Sequence, residues 1–368
     1  MPEMIDVAVA LSPKEPFEFR KVELLPPRPD EVRVRIKATG ICHTDVAVKD
    51  QYFALPLPMV LGHEGAGVVE EVGSAVTHLA VGDHVVLCGD SCGHCKNCNQ
   101  GLNFYCDEFV ERNLTGLRPD GSSSLSDSGE ELRGRFVSQS SFATQVIASS
   151  RGAIKIPKDL PLELMGPLGC GLTTGVGTVL NALTPQPGSD IAIFGVGTVG
   201  LAAVMGSGLA GCEKIIAIDL LQARLEMAKE LGATHCINAK EENVVEAILS
   251  ITGGGADYSL ECTGIPEVVI QAVNCLGRPG WCAQVGVTPS GITVPMEMDQ
   301  ILYGRGIRGV VMGEANVANF VPYLAELYRD GRLPYDRFVQ FYDFTDIDKA
   351  VHDSAVTGDV IKPILRMQ

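Results

Sequence analysis

The chain has 368 residues and a formal net charge of −16, a length beyond what one hydrophobic core usually fills, so two domains are expected. So strong an acidic excess excludes the clustered Lys and Arg on which binding to nucleic acid or an anionic membrane relies, and leaves small molecules or protein partners. The N-terminal stretch MPEMIDVAVALSPKEPFEF has neither the basic start nor the unbroken apolar run of a signal peptide, and no segment reaches the ~18 apolar residues of a membrane span, so a soluble, cytoplasmic protein is expected.

In chain order, the first third carries short β-type runs bounded by Gly and Pro: EVRVRIKATG, GAGVVEEVGS, GDHVVLCG and FATQVIA. Valines two apart and frequent turn residues predict a compact antiparallel or barrel-like β domain. The polar stretch RPDGSSSLSDSGEELRG, residues 118–134, reads as an inserted loop of low order. From about residue 171 the texture changes to strand runs such as IAIFGVG and KIIAIDL alternating with helical segments such as TVGLAAVMGSGLAG, LQARLEMAKELG and VVEAILSIT, the sequence form of a doubly wound α/β sheet. The alternation breaks near FVPYLAELYRDG, and the tail reads as mixed α/β.

Twelve cysteines are distributed unevenly. Cys92, Cys95, Cys98 and Cys106 form C-x2-C-x2-C-x7-C in a Gly- and Asn-rich loop, a spacing that lets four thiolates wrap one zinc tetrahedrally. Such a site has no open position and is structural; disulfides or an iron–sulfur cluster are the alternatives. Cys212, Cys236, Cys262, Cys275 and Cys282 sit singly in apolar segments and read as packing residues. Cys42 in ICHTD, His63 in GHEGAGVVEEVG and Cys170 in PLGCGLTTG each fall at strand-to-loop punctuation. Two thiolates and one imidazole leave zinc's fourth position free for catalysis, whereas a lone His or Cys is more often a packed core residue.

GVGTVG, Gly195 to Gly200, follows the strand run IAIF and opens a helix of small residues, with Asp219 about twenty residues on, at the end of KIIAID. Gly195 allows the tight turn, Gly197 the approach of backbone to a pyrophosphate, and Gly200 close helix–strand packing. Asp219 is expected to accept from ribose hydroxyls and to repel a 2′-phosphate, which favours NAD over NADP.

GHEGAGVVEEVGSAV with GDHVV downstream, the four-cysteine loop, GCGLTTG and GVGTVG occur in the order of the zinc-dependent medium-chain alcohol dehydrogenases, and across essentially the whole chain. Within that family CHTDV…DQYFALPLPMVLGHEGAGVVE, PLELMGPLGCG and GTVLNAL resemble the aryl-alcohol (benzyl alcohol) dehydrogenases and related enzymes for allylic terpene alcohols. The resemblance implies a β-rich, GroES-like catalytic domain over residues 1–170 and 313–368, and a Rossmann-type domain over 171–312. It implies two zinc ions per chain, NAD, and oxidation of a primary aromatic or allylic alcohol to the aldehyde by hydride transfer. Cys42, His63 and Cys170 become catalytic zinc ligands, Thr44 the group that takes the hydroxyl proton, Asp45 the carboxylate that orients His63, and Glu64 a residue able to approach the metal from behind.

The same resemblance places His43, Thr174, Val199, Arg224, Thr263, Val285 and Lys362 around the cofactor, with His43 and Lys362 at the pyrophosphate, and Phe53, Cys88, Phe136 and Val137 around the substrate. Ala47 stands where many members carry a proton-relaying His. A homo-oligomer is expected, a dimer ahead of a tetramer. The alternatives are a glutathione-dependent formaldehyde or general aliphatic alcohol dehydrogenase, or an inactive zinc-stabilised binding protein of the same fold.

Overall fold

The computed structural model describes residues 3–367. The chain divides into two compact units: the first takes the chain up to Cys170, Asn316–Asp330 and Asp336 onward, the second Gly171–Ala315 and Gly331–Tyr335. The return to the first unit thus falls at Asn316 rather than residue 313, and five residues beyond it belong with the second. Among the described residues no helix is long and apolar enough to cross a membrane.

The first unit is built on two sheets. The strand Glu31–Gly40 is the hub of the larger, because its side chains alternate: Val32, Val34, Ile36 and Ala38 are buried while Arg35 and Lys37 face outward. It pairs antiparallel with Glu64–Val72, Gln145–Ser149 and the C-terminal strand Lys362–Arg366. The sheet continues through His84–Leu87 to Ala153–Ile156 on one side and through Val339–Asp343 on the other. The second sheet is antiparallel, in the order Met59–Val60, Glu3–Ala10, Glu18–Leu24, Leu125–Asp127 and Glu130–Leu132. One apolar cluster, including Val7, Val9, Val34, Ile36, Leu61, Phe136 and Phe142, draws on strands of both.

Residues 118–134, expected to be a loop of low order, are instead a built part of this unit. Leu125 and Leu132 are buried, and the Ser123 and Ser124 hydroxyls donate to the carbonyls of Leu132 and Gly134. The anchor is Arg118, whose guanidinium donates twice to the buried Glu31 carboxylate, at 2.9 Å each, while Arg135 donates to the same group from the far end of the segment. A polar composition concealed this because the partner lies almost ninety residues away.

The second unit is a six-stranded all-parallel sheet in the order His235–Asn238, Lys214–Asp219, Asp190–Phe194, Ala256–Glu261, Leu276–Gln284 and Arg305–Gly309. This order, with helices such as Thr198–Ala210 and Gln222–Glu230 between successive strands, is the doubly wound Rossmann arrangement. Local chemistry sets the helix ends: Asn243 caps Val244–Thr252 by accepting from Glu246 N, and Gly253 closes it at φ +74°. Helix Thr198–Ala210 is largely buried, and its small residues admit the helix Gly171–Gly177 so closely that a Cβ on Gly175 would lie 2.2 Å from Val199 O. Cys275 and Cys282 are core residues as expected, but Cys236 is exposed on the outermost strand rather than packed.

Burial by itself would raise the Glu31 pKa, but Arg118 and then Arg135 outweigh it and hold the carboxyl below its ordinary value of 4.5. Glu31→Gln is expected to cost about 3 kcal/mol at pH 7, since it leaves buried guanidinium charge unpaired. Because the folded-state pKa is depressed, this contribution is complete above the unfolded value and fades as pH falls through the folded one. Denaturant titrations at pH 7 and below pH 4.5 check both the size of the loss and its convergence toward zero in acid.

Candidate functional site

Cys42 stands at the N-terminus of the helix His43–Lys49, and Asp45, in that helix's first turn, reaches back to accept from Cys42 N at 2.9 Å. The other Asp45 oxygen accepts from Gly62 N at 3.0 Å and lies 2.8 Å from His63 Nδ1. With Nδ1–H directed at the carboxylate, the Nε2 lone pair faces away from Asp45 and lies 3.3 Å from Cys170 Sγ. Cys170 arrives from the turn Gly166–Gly169, which presses so close that a Cβ on Gly169 would lie 2.3 Å from Leu87 O. Cys42 Sγ and Cys170 Sγ are 4.0 Å apart, and the three ligand atoms all lie within 4.8 Å of one another. Tetrahedral zinc with Zn–S bonds of about 2.3 Å sets sulfurs roughly 3.8 Å apart, so this donor set fits the metal. The hydrogen bond from Cys170 and the neighbouring His63 hold the Cys42 thiol well below its ordinary range, against burial.

Around these three atoms Thr44 Oγ1 lies 3.7 Å from Cys42 Sγ, while His43 is exposed and Ala47 buried in the same helix. Glu64 is fully buried, and Lys362 meets it: Nζ donates at 3.0 and 2.8 Å to the two carboxylate oxygens and at 3.0 Å to Ile41 O. All three ammonium protons are thereby committed, and Lys362 is only 2% exposed. Lys362 is thus the counter-charge of Glu64 within the first unit. Burial works to lower the Lys362 pKa, but the Glu64 carboxylate outweighs it and the ammonium stays protonated.

Of the expected pocket residues, Phe136 sets its ring edge-on to the His63 imidazole, with centroids 5.4 Å apart. A Cβ on Gly89, next to Cys88, would lie 3.4 Å from Val137 Cγ1, and Phe53 packs on the same core cluster. Cys88 is buried, which pushes its thiol up to about 12 and leaves it a neutral, small wall. The turn that carries Phe136 and Val137 is strained: Val137, Ser138 and Ser140 all have left-handed backbones, at φ 47°, 63° and 54°. Each costs ~1–3 kcal/mol and persists only where its surroundings over-determine it. Here Arg135 donates to Ser138 Oγ at 3.1 Å, and the Ser140 hydroxyl accepts from Phe136 N and donates to Val60 O.

Residues that the sequence did not single out complete the surroundings. Gln139, fully buried, accepts from Gly65 N at 2.9 Å and donates to His63 O at 3.0 Å. Its only sequence signal is a polar run, SQSS, interrupting apolar strand texture. In the second unit Glu261 is a buried carboxylate that gathers Thr263 N, Thr263 Oγ1 and Gly264 N.

The four-cysteine loop brings Cys92, Cys95, Cys98 and Cys106 within 4.8 Å of one another. Backbone amides point at sulfur throughout: Cys92 N at Cys106 Sγ (3.2 Å), Cys95 N at Cys92 Sγ (3.3 Å) and Glu108 N at Cys106 Sγ (3.4 Å). Such N–H groups stabilise thiolates, and those of Asp107 and Cys98 bring Cys95 down to about 6. All twelve cysteines are free, so no disulfide competes for these sulfurs.

The glycine turn joins strand Asp190–Phe194 to helix Thr198–Ala210. A Cβ on Gly200 would lie 2.0 Å from Gly195 O, whereas one on Gly197 would meet nothing within 4 Å, which leaves open the side from which a phosphate would approach. Thr263 packs on the turn, its Cγ2 only 2.8 Å from where a Gly195 Cβ would stand, and Val285 N donates to Glu261 O beside it. Thr174 Oγ1 lies 3.4 Å from Met312 Sδ, and Val199 is brought alongside by the Gly175 approach. Asp219 has a structural duty that the motif does not disclose: its carboxylate accepts from Val196, Leu220 and Leu221 N. Arg224 Nε is buried without a hydrogen-bond partner, an orphaned donor that fits a ligand at the adenosine end.

Two family models match the chain: an alcohol dehydrogenase GroES-like domain over residues 28–158 and a zinc-binding dehydrogenase domain over residues 198–327. A geraniol dehydrogenase of Castellaniella defragrans is 40% identical over 353 residues, covering 95% of this chain and 94% of its own. The benzyl alcohol dehydrogenase of Acinetobacter calcoaceticus superposes with a TM-score of 0.96 at 43% identity, over 100% of both chains. An alcohol dehydrogenase zinc-binding domain protein from Burkholderia ambifaria superposes with a TM-score of 0.98 at 48% identity, again over 100% of both.

Proposed function

The chain belongs to the zinc-binding alcohol dehydrogenases, and from that membership we propose that it interconverts aromatic or allylic primary alcohols and their aldehydes, with NAD as hydride acceptor and two zinc ions per chain. The observation that carries the reading is the convergence of Cys42, His63 and Cys170, with the Thr44 hydroxyl 3.7 Å from Cys42 Sγ and Phe136 edge-on to the imidazole. The likeness to a benzyl alcohol and a geraniol dehydrogenase supports the substrate class.

Zinc held by Cys42, His63 and Cys170 would supply a Lewis acid for the alcohol oxygen, and NAD held at Gly195, Gly197, Gly200 and Asp219 a hydride acceptor. The chain's own residues supply the rest. Thr44 accepts the hydroxyl proton at Oγ1, a group able to donate and accept at once. Asp45 holds His63 in the tautomer whose Nε2 is free to ligate. Lys362 neutralises Glu64, so that the carboxylate stays buried behind the ligands instead of competing for the metal. Phe53, Cys88, Phe136 and Val137 form an uncharged wall suited to a ring or a branched allylic chain, and exclude water. With Ala47 unable to relay, the proton leaves by water or by the exposed His43. Cys92, Cys95, Cys98 and Cys106 would hold the second zinc, without an open position. Exposed Met298, Ile301, Leu302 and Tyr303, next to the outer strand Arg305–Gly309, support a homo-oligomer.

Steady-state kinetics with a panel of benzylic, allylic and aliphatic alcohols tests the substrate class. Benzyl-type or allylic alcohols are expected to exceed ethanol in kcat/KM by at least about tenfold, the worth of one to two well-buried carbons; ethanol ahead of both overturns the reading. Metal analysis is expected to give two zinc ions per chain, with Cys170→Ala keeping one and losing turnover while remaining folded.

Cofactor choice is tested with Asp219→Asn, which removes the charge and keeps one of the two oxygens that accept from Val196 N and from Leu220 and Leu221 N. kcat/KM with NAD is expected to fall by roughly tenfold while that with NADP rises, since a hydrogen bond to a charged group is worth about 1.5 kcal/mol. Wild-type protein using NADP as well as NAD would remove this role from Asp219.

A further inference from the structure

We propose that Gln139 is a positioning residue for the open metal site, a clamp that sets where His63 stands relative to Cys42 and Cys170. The inference rests on the metal-site reading above and adds to it a residue that neither binds metal nor touches substrate. Its side-chain amide spans both flanks of Glu64: Oε1 accepts from Gly65 N at 2.9 Å and Nε2 donates to His63 O at 3.0 Å. Those two backbone groups flank the start of the strand Glu64–Val72, where Glu64 and Gly65 pair with Gly40 and Thr39 on one side and pairing with His84–Leu87 on the other begins only at Ala66; the amide supplies a paired donor and acceptor there. The same turn, residues 136–141, makes three further contacts with the His63 region. Phe136 meets the imidazole edge-on, Ser141 N donates to Gly62 O at 2.8 Å, and Ser140 Oγ donates to Val60 O at 2.6 Å. Asp45 fixes the rotation of the ring; Gln139 fixes the backbone from which the ring projects.

The turn is a built object, with three non-glycine residues in the left-handed region. It is tied by Arg135 to the buried Glu31, and Glu31 is held in turn by Arg118. A backbone held in sparsely populated conformations by several independent bonds is the signature of a position that must be met closely. Groups that orient metal ligands without touching the metal typically change metal affinity by about 10- to 100-fold when removed.

The experiment loads metal-free protein with Co2+ in competition with a chromophoric chelator and reads both the dissociation constants and the ligand-field absorption, with the four-cysteine loop of the same molecule as internal reference. In Gln139→Met, close in volume but unable to make either bond, the open site is expected to bind about 10- to 100-fold more weakly, with a shifted absorption envelope and an unchanged cysteine loop. Ser259→Ala, a buried change in the second unit that loses the bond to Ala272 O, is expected to lower the thermal midpoint while leaving open-site affinity and spectrum at the wild-type values. Should Gln139→Met fail to fold, Gln139→Glu, which keeps the bond from Gly65 N but sets an oxygen against His63 O, is expected to show an intermediate weakening. Wild-type affinity and spectrum at the open site in the folded Gln139 variant overturn the clamp alone. Wild-type protein that takes up Co2+ only in the cysteine loop overturns both the clamp and the metal-site reading beneath it.

Discussion

The open site depends on a single buried carboxylate. Asp45 accepts at once from Cys42 N, from Gly62 N and from the His63 ring, and in doing so joins the start of a helix to a turn some eighteen residues later. Each donor alone is an ordinary hydrogen bond; together they satisfy a charge that is 1% exposed, and that would otherwise be expensive to bury. The consequence is directional. Because Nδ1 is engaged, Nε2 is the nitrogen that faces the two thiols, and because the helix start is fixed, Cys42 presents its sulfur toward Cys170. A cysteine loop achieves the comparable arrangement without any carboxylate, through backbone amides aimed at sulfur.

What was legible in the sequence divides by range. The cysteine loop spans fifteen residues and the glycine turn six, so the chain's own geometry nearly dictates what such residue types can do together. Cys42, His63 and Cys170 are far apart in sequence, and what joins them there is their place at strand-to-loop punctuation, strengthened by the resemblance of their flanking motifs. Contacts without a short-range signature were missed or misread. Lys362 is placed at a pyrophosphate by the resemblance alone, and a lone Lys in VIKPIL gives no hint that it meets a carboxylate nearly three hundred residues earlier. Residues 118–134 looked loose because serines and aspartates are loop formers, and nothing local reveals that Arg118 meets Glu31. Cys236 was placed in a core by its apolar neighbours, whereas it lies on the strand at the sheet's open edge.

The contacts of Arg118 and Lys362 share a cause. Glu31 with Arg118 and Arg135, and Glu64 with Lys362, are charges in the interior of an acidic protein, where each needs a partner to be tolerated. Such pairs contribute little net stability against an apolar alternative, but they specify which segments meet. In the first unit they fasten the segments that surround the ligands, the strained turn on one side and the last strand on the other. Gln139 works in the same way with neutral groups, and is equally invisible to composition.

The position of Lys362 also bears on how the first unit is closed. The strand Lys362–Arg366 docks antiparallel on Glu31–Gly40, and its ammonium supplies the charge opposite Glu64 and the donor to Ile41 O, one residue before Cys42. One buried ion pair thus clasps segments nearly three hundred residues apart. Loosening of that strand is felt at once as an unpaired buried charge next to His63, so distant packing and the ligand cluster come apart together.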